Sequence, residues 1–283
     1  MINSVSALVA INSFLPTMCD LLKKALTFSA FFCACISLNT YADECAPQHI
    51  DESVRVNYVY DGDTIQLEDG RKVRLIGIDT PEIFSKKRHI PREIKASGQR
   101  ARAALQQQLN KVDMRIGLDY GQQQFDRYGR TLAHIFTAEG INLQAYLIRQ
   151  GHAIAFTTPP NDRLSDCYQQ QEVLARQAGH GIWQLAQYQV VDISQPHLAK
   201  QGFQRLQGRV TQLKKNSKHI TLVIGGLLNV RIYKKDWPNF SLPHLNTMQG
   251  KRIRVRGWLH KKKQYYQINI RHPDALTEDL AIR

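Results

Sequence analysis

The chain has 283 residues and a formal net charge of +14 at pH 7, a length that allows one to three domains. Residues 200–283 carry 18 Lys and Arg against 4 Asp and Glu, whereas residues 43–199 are close to neutral. The charge is therefore not a property of the whole chain. Such asymmetry indicates a C-terminal region that binds a polyanion.

The first 42 residues are predicted to be a signal peptide. Lys23-Lys24 precede an apolar stretch from Ala25 to Leu38, and Thr40-Tyr41-Ala42 resembles a cleavage site. The apolar stretch is shorter than the roughly 18 residues of a membrane-spanning helix. We expect a periplasmic or secreted protein without a stable membrane span, with Met18 as a candidate start. The alternative is an uncleaved signal anchor that tethers the chain.

Five cysteines are present, of which Cys19, Cys33 and Cys35 lie in the leader. Export leaves Cys45 and Cys167 in the mature chain, where an oxidising compartment permits one disulfide. Two unpaired thiols are the alternative. No cysteine or histidine spacing resembles a zinc site.

Residues 43–185 are predicted to form the first domain, a mainly β fold with helices (α+β). Alternating and apolar runs predict strands, and stretches rich in Ala, Gln and Leu predict helices. The predicted strands are 54–59, 64–67, 72–78, 112–119 and 130–137, and the predicted helices are 96–109, 142–150 and 164–178. This order fits a small five-stranded Greek-key barrel with three helices.

Three short charged segments carry the chemical signal. They are Asp61-Gly62-Asp63-Thr64, Arg74 with Asp79-Thr80-Pro81-Glu82, and Asp126-Arg127-Tyr128-Gly129-Arg130. Carboxylates of the first two could hold a hard divalent cation, and the arginines suit a phosphate. Each segment also has a plainer interpretation as a hairpin turn or a solvated strand arginine. Their occurrence as an ordered set favours phosphodiester cleavage.

With these segments the chain resembles the thermonuclease family, the staphylococcal-nuclease-like domain, over about residues 54–185. Further matching segments are 142–151 and Gly181-Ile182-Trp183. The resemblance implies an oligonucleotide-binding (OB) type barrel. It also implies Ca²⁺ as cofactor, bound by Asp63 and Asp79 together with the backbone carbonyl of Thr80.

The same resemblance implies the catalytic residues. Glu82 corresponds to the proposed general base that positions or deprotonates water, and Arg74 and Arg130 correspond to the arginines that bind the scissile phosphate. Arg127, Tyr128 and Phe156 are further candidate substrate contacts. Phe156 could stack on a base or could be an ordinary core residue.

Residues 186–202 are predicted to be a linker or packing strap, followed by a basic, OB-like domain over residues 203–283. Five short β runs predict a second small barrel. Candidate nucleic-acid contacts combine cations with aromatics: Arg252, Arg254, Arg256, Lys261, Lys262, Lys263 and Tyr265. A solvated basic strand face, or binding to anionic lipid headgroups, would use the same charge.

The sequence thus predicts an exported, Ca²⁺-dependent nuclease that hydrolyses DNA, with RNA as a further expected substrate. The alternatives are a nucleic-acid-binding module without hydrolysis and an envelope protein that holds anionic surfaces. The expected partners are DNA or RNA, and no protein partner is inferable from the sequence.

Overall fold

A computed structural model describes residues 45–85, 89–200 and 202–278 of the chain. The predicted signal peptide, with its three cysteines, lies outside these residues. Within the described ranges no helix is both long and apolar enough to cross a bilayer. The described chain from Cys45 onward forms one compact unit.

The first barrel is closed by five strands. Strands β1 (Glu52–Val59), β2 (Thr64–Leu67), β3 (Lys72–Leu75), β5 (Arg115–Phe125) and β6 (Thr131–Phe136) pair in the order β1-β2-β3-β6-β5 and back to β1, with β3 and β6 parallel. A short strand β4 (Ile78–Asp79) pairs with β7 (Ile154–Ala155) outside the barrel. The predicted mainly β fold is therefore confirmed.

Strand β5 extends further than the sequence pattern predicted, to Phe125. Its last residues, three glutamines and Phe125, are all exposed, so they lack the alternation that predicts a half-buried strand. Pairing of Phe125 with Thr131 nevertheless carries the β5–β6 ladder up to the turn that contains Asp126. The hairpin thereby places this charged turn at one end of the barrel.

Three helices cover the first barrel: α1 (Arg92–Lys111), α2 (Leu143–Arg149) and α3 (Ser165–Gln177). Helix α1 turns its small residues Ala101 and Ala104 toward the interior, so the helix can approach the barrel closely. Asn142 caps α2, because its side chain accepts a hydrogen bond from the Ala145 N–H.

A disulfide joins Cys45 to Cys167 in α3, across a sequence separation of 122 residues. Both cysteines are buried in the core of the first barrel. The backbone carbonyl of Cys45 also accepts a hydrogen bond from the Asn142 side chain. The N-terminal end of the described chain is therefore fixed to the helices by a covalent bond and a buried hydrogen bond.

The second barrel repeats the strand order of the first. Strands β9 (Gly202–Lys215), β10 (His219–Ile224), β11 (Leu228–Tyr233), β12 (Arg252–Lys261) and β13 (Tyr266–Asn269) close in the order β9-β10-β11-β13-β12 and back to β9. Strands β11 and β13 are parallel, and a short helix α4 (Leu242–Thr247) lies between β11 and β12 in the chain. The five predicted β runs correspond to these strands, and β14 (Leu276–Glu278) adds an edge strand to β12.

The segment predicted as a linker packs against the second barrel. Within it β8 (Val190–Asp192) pairs in parallel with β9, and Tyr188 is buried against Trp183 and Phe203. These aromatic contacts join the end of the first domain to the first strand of the second. The sequence of this segment has weak periodicity, but its side chains pack between the two barrels.

A buried ion pair fastens the two barrels together. The guanidinium of Arg256 in β12 donates to both carboxylate oxygens of Glu172 in α3, at 2.6 and 2.7 Å, and the Glu172 side chain is 1% exposed. Glu172 also accepts from the Ala155 N–H at 2.8 Å, and the Ala155 carbonyl accepts from Arg256. Arg176 Nη1 lies 3.6 Å from the same carboxylate, so removing Arg256 would leave the buried Glu172 charge with this more distant cation only.

Acid should weaken the first barrel through His134, a buried β6 residue whose ring lies 2.7 Å from the Tyr168 hydroxyl. Burial lowers the pKa of His134 to about 3, so the unfolded chain takes up this proton more readily than the folded one. His134 should therefore contribute a decrease in the free energy of unfolding as pH is lowered from about 6.5 toward 3, by up to about 1.4 kcal/mol per pH unit, whereas carboxylates with raised pKa values act in the opposite direction. Denaturant unfolding at several pH values measures this slope.

The matched variant is His134→Gln, which keeps a polar side chain but does not titrate. Its free energy of unfolding, relative to that of the unsubstituted protein, should increase as the pH is lowered from 6 to 5, because the carboxylates titrate in both proteins and only His134 differs. Equal slopes would contradict the assignment of this effect to His134.

Candidate active site

Asp63 organises the loop between β1 and β2. Its Oδ2 accepts hydrogen bonds from the Thr80 N–H and hydroxyl, both at 2.9 Å, and its Oδ1 accepts from the Thr64 hydroxyl at 3.1 Å. The loop must approach Thr80 closely, because a Cβ on Gly62 would lie 2.7 Å from both Thr80 Cγ2 and Ala101 Cβ. Glycine at position 62 is therefore a steric requirement of this loop.

Arg74 lies between two carboxylates. Its Nη2 is 3.2 Å from Asp63 Oδ2 and 3.1 Å from Asp79 Oδ1, and its Nη1 donates to the Leu75 carbonyl at 2.6 Å. Burial alone would lower the pKa of Arg74, but Asp63 and Asp79 outweigh it and raise that pKa above the ordinary value. The β2–β3 ladder, which pairs Thr64 with Arg74, brings the first two charged segments together.

Asp79 is the last residue of β4, and its position depends on pairing with β7, where it lies opposite Ile154. Burial raises the pKa of Asp79 to about 7, with Arg74 opposing the shift and Asp63 and Glu82 reinforcing it. Burial, with repulsion from Asp63, likewise raises the pKa of Asp61 to about 6. The carboxylates here exceed the positive charge available to compensate them.

Arg130 is oriented by its own turn. Its Nε donates to Asp126 Oδ2 at 2.8 Å, while Asp126 Oδ1 accepts from the backbone N–H groups of Tyr128 and Arg130 at 2.8 and 2.9 Å. Backbone hydrogen bonds from Arg130 and Tyr128, with the Arg130 side chain, outweigh partial burial and lower the pKa of Asp126. Arg130 Nη1 lies 3.5 Å from the Thr64 hydroxyl, and this contact connects the turn to the first charged segment.

A cleft of about 450 Å³ contains both arginines. Arg74, Asp79, Arg127, Tyr128, Arg130 and Phe156 are all among its lining residues. Tyr128 is 68% exposed, and the Arg127 guanidinium lies over its ring, with Cζ 4.7 Å from the ring centroid. Phe156 is half-buried and packs against the aromatic cluster at the barrel junction, so both of its predicted roles are compatible with its position.

Glu82 is exposed and lines a second cavity that shares Asp79 with the first. Its charge acts on both Arg74 and Asp79. The far wall of this cavity comes from the barrel junction and includes Tyr188, Phe203 and Trp258. The predicted base thus lies on one side of Asp79 and the predicted phosphate-binding arginines on the other.

The residues present fit a divalent cation of the kind the family uses. Asp61, Asp63, Asp79 and Glu82 all act on one half-buried cation, Arg74, and burial together with repulsion from Asp63 and Glu82 raises the pKa of Asp79. Among the described residues no group of three or more His, Cys, Asp or Glu side chains forms a metal cluster. An ion here would therefore take two carboxylates, completed by a backbone carbonyl and water, which are acceptable ligands for Ca²⁺.

The predicted nucleic-acid contacts of the second barrel are dispersed. Arg256 is engaged by Glu172, Arg252 forms an ion pair with Asp192, and Arg254 donates to Gln207 at 3.3 Å. The remaining predicted contacts lie together in the exposed turn between β12 and β13: Lys261, Lys262, Lys263 and half-buried Tyr265.

The sequence pattern did not point to two further cations of the cleft, Lys235 and Arg271. Lys235 follows β11 and Arg271 follows β13, so parallel pairing of these strands brings the two residues to one end of the second barrel. Lys235 lies in the short charged run Lys234-Lys235-Asp236, but its sequence separation from Arg271 hides the relation between the two. A prediction that β11 and β13 pair in parallel would have identified these two residues as neighbours.

Comparison with known proteins agrees with this geometry. The model of the staphylococcal nuclease homologue family matches residues 72–185. A thermonuclease of Staphylococcus intermedius is 34% identical over 136 residues, which cover 47% of this chain and 77% of that protein. An uncharacterized endonuclease of Escherichia coli is 31% identical over 138 residues, covering 46% of this chain and 75% of that protein. The chain belongs to the thermonuclease family, the staphylococcal nuclease homologues.

Proposed function

We propose that this protein is a nuclease that hydrolyses the phosphodiester bonds of DNA and RNA. The observation that supports it is the convergence of Asp63, Asp79, Arg74 and Arg130 at one end of the first barrel. The nuclease names of the relatives favour the same activity. A binding module of the same fold would not need this combination of acidic and basic groups.

Arg74 and Arg130 bind the non-bridging oxygens of the scissile phosphate. Each guanidinium is held by a carboxylate, so its orientation is established before substrate arrives and little reorganisation is needed as charge develops. A planar fork can make two parallel hydrogen bonds to a phosphate. Glu82 accepts a proton from the attacking water, because water is a weak nucleophile near neutral pH.

Asp63, Asp79 and the Thr80 carbonyl hold Ca²⁺. The bound ion would polarise the phosphoryl oxygen. The protein's contribution is to fix both carboxylates, Asp63 through Thr80 and Asp79 through the β4–β7 pair. Export to the periplasm or the medium is part of this proposal, since the Cys45–Cys167 disulfide is suited to an oxidising compartment.

The second barrel binds the same nucleic acid outside the reacting centre. The exposed Lys261–Lys263 turn with Tyr265 combines cations and an aromatic ring, as proteins that bind single strands do. The alternative, an envelope protein that holds anionic surfaces, is favoured only by the net charge of this region and not by any feature of the cleft.

Removal of calcium should abolish cleavage of plasmid and single-stranded DNA by the mature protein, and added Ca²⁺ should restore it, because the carboxylates need an ion to act on phosphate. Glu82→Gln should lower kcat by about a hundredfold or more. Gel or fluorescence assays of cleavage, with and without chelator, measure both effects. Cleavage that persists in chelator would remove the ion from the mechanism.

Arg74→Lys and Arg130→Lys should each lower kcat/KM on DNA by about a hundredfold, because a point charge does not reproduce the bidentate fork. Arg115→Lys is the matched control, since Arg115 is exposed and its ion pair with Asp113 lies outside the cleft. Unchanged turnover in either cleft variant would refute the assigned role.

A further inference from the structure

We propose that Lys235 and Arg271 of the second barrel form a phosphate-binding subsite in the catalytic cleft, beyond the scissile phosphate. This rests on the proposed nuclease function and extends it. The ligand would be a backbone phosphate of the same strand that is being cleaved. The second barrel would then take part directly in substrate binding at the active site.

The first support is position. Lys235 and Arg271 line the same cleft as Arg74, Arg127 and Arg130. That cleft is bordered by five cationic side chains and only two carboxylates, Asp79 and Asp126. Each of these carboxylates already pairs with an arginine of the first barrel. The Lys235 charge is thus available to an anionic ligand, and Arg271, although ion-paired with Asp236, lies beside it in the same cleft.

The second support is that Arg271 is held in place from both barrels. Its Nε donates to Asp236 Oδ1 at 3.0 Å, and the Asp236 side chain is 4% exposed. Its Nη2 donates to the carbonyl of Pro159, a first-barrel residue, at 3.1 Å. A guanidinium has five N–H donors, so donors remain for a phosphate. Holding Arg271 in advance reduces the entropy lost on binding.

Lys235 supplies a mobile charge beside this fixed group. It is exposed at the end of β11, and among the described carboxylates none forms an ion pair with its ammonium. A lysine in such a position binds phosphate as a point charge and releases counterions. One anchored guanidinium and one exposed ammonium together can bind a single phosphate group.

The Lys261–Lys263 turn cannot substitute for this subsite on a short substrate. Parallel pairing sets Leu228 opposite Tyr266 and Arg231 opposite Asn269. The lysine turn precedes Tyr266, whereas Lys235 and Arg271 follow the other ends of β11 and β13. The turn and the subsite therefore lie at opposite ends of the second barrel. A short strand bound in the cleft would reach only the subsite.

Lys235→Glu is the test, with Lys111→Glu as the control of equal charge change on an exposed lysine that does not line the cleft. The probe is a single-stranded oligonucleotide of about six nucleotides, within the footprint of one barrel. Its Kd is measured in chelator, and kcat and KM in Ca²⁺. Lys235→Glu should raise Kd and KM about fivefold and leave kcat unchanged. The slope of log Kd against log salt concentration should fall by about one unit, the contribution of one phosphate contact.

Lys111→Glu should leave all of these values at the wild-type level on the short probe. Arg271→Lys, which retains a cation for Asp236, should raise KM. Unchanged Kd and KM for Lys235→Glu, or equal weakening by both glutamate variants, would overturn the subsite. If the wild-type protein cleaves nothing while Lys235→Glu still weakens binding selectively, the nuclease function fails and the subsite stands.

Discussion

The site is built around one half-buried cation held between two carboxylates. Arg74 contacts Asp63 and Asp79, and Asp63 in turn holds Thr80 through two hydrogen bonds. These contacts join segments that are separate in the chain, so the first barrel, the β4–β7 pair and the loop after β1 must all be in place together. Burial disfavours the charged form of each of these groups taken alone. They remain charged together because each lies beside a group of opposite charge.

The two barrels share one strand order but differ in what they present. The first gathers carboxylates and guanidiniums at one end, while the second supplies an excess of positive charge. The Arg256–Glu172 pair connects them through Ala155, which belongs to β7 and pairs with Ile78 next to Asp79. The contact between the two barrels is therefore connected, through Ala155, to the strand pair that positions Asp79, a proposed metal ligand.

Much of the site could be predicted from sequence because its residues lie in short, recognisable segments. Asp63, Asp79 and Arg130 are positioned by turns and neighbouring ladders, which are local features. The role of Arg256 could not be predicted in this way. Alternation in β12 indicates an exposed basic face, and only packing against α3 reveals the buried partner, Glu172.

The same limit applies to Lys235 and Arg271, and to the segment 186–202. Their environment is created by contact between two barrels, which neither composition nor periodicity describes. Strand β5 shows the converse case, in which backbone pairing extends a strand whose side chains carry no strand pattern. Local sequence thus predicts the elements and the reacting groups, whereas the walls of the cleft depend on tertiary packing.

The most direct test is a crystal structure of the chain with Ca²⁺ and a non-hydrolysable oligonucleotide analogue. The account predicts the ion between the carboxylates of Asp63 and Asp79, with one phosphate in contact with it and with both Arg74 and Arg130. An ion and a phosphate bound elsewhere, with these side chains contacting only one another, would contradict it.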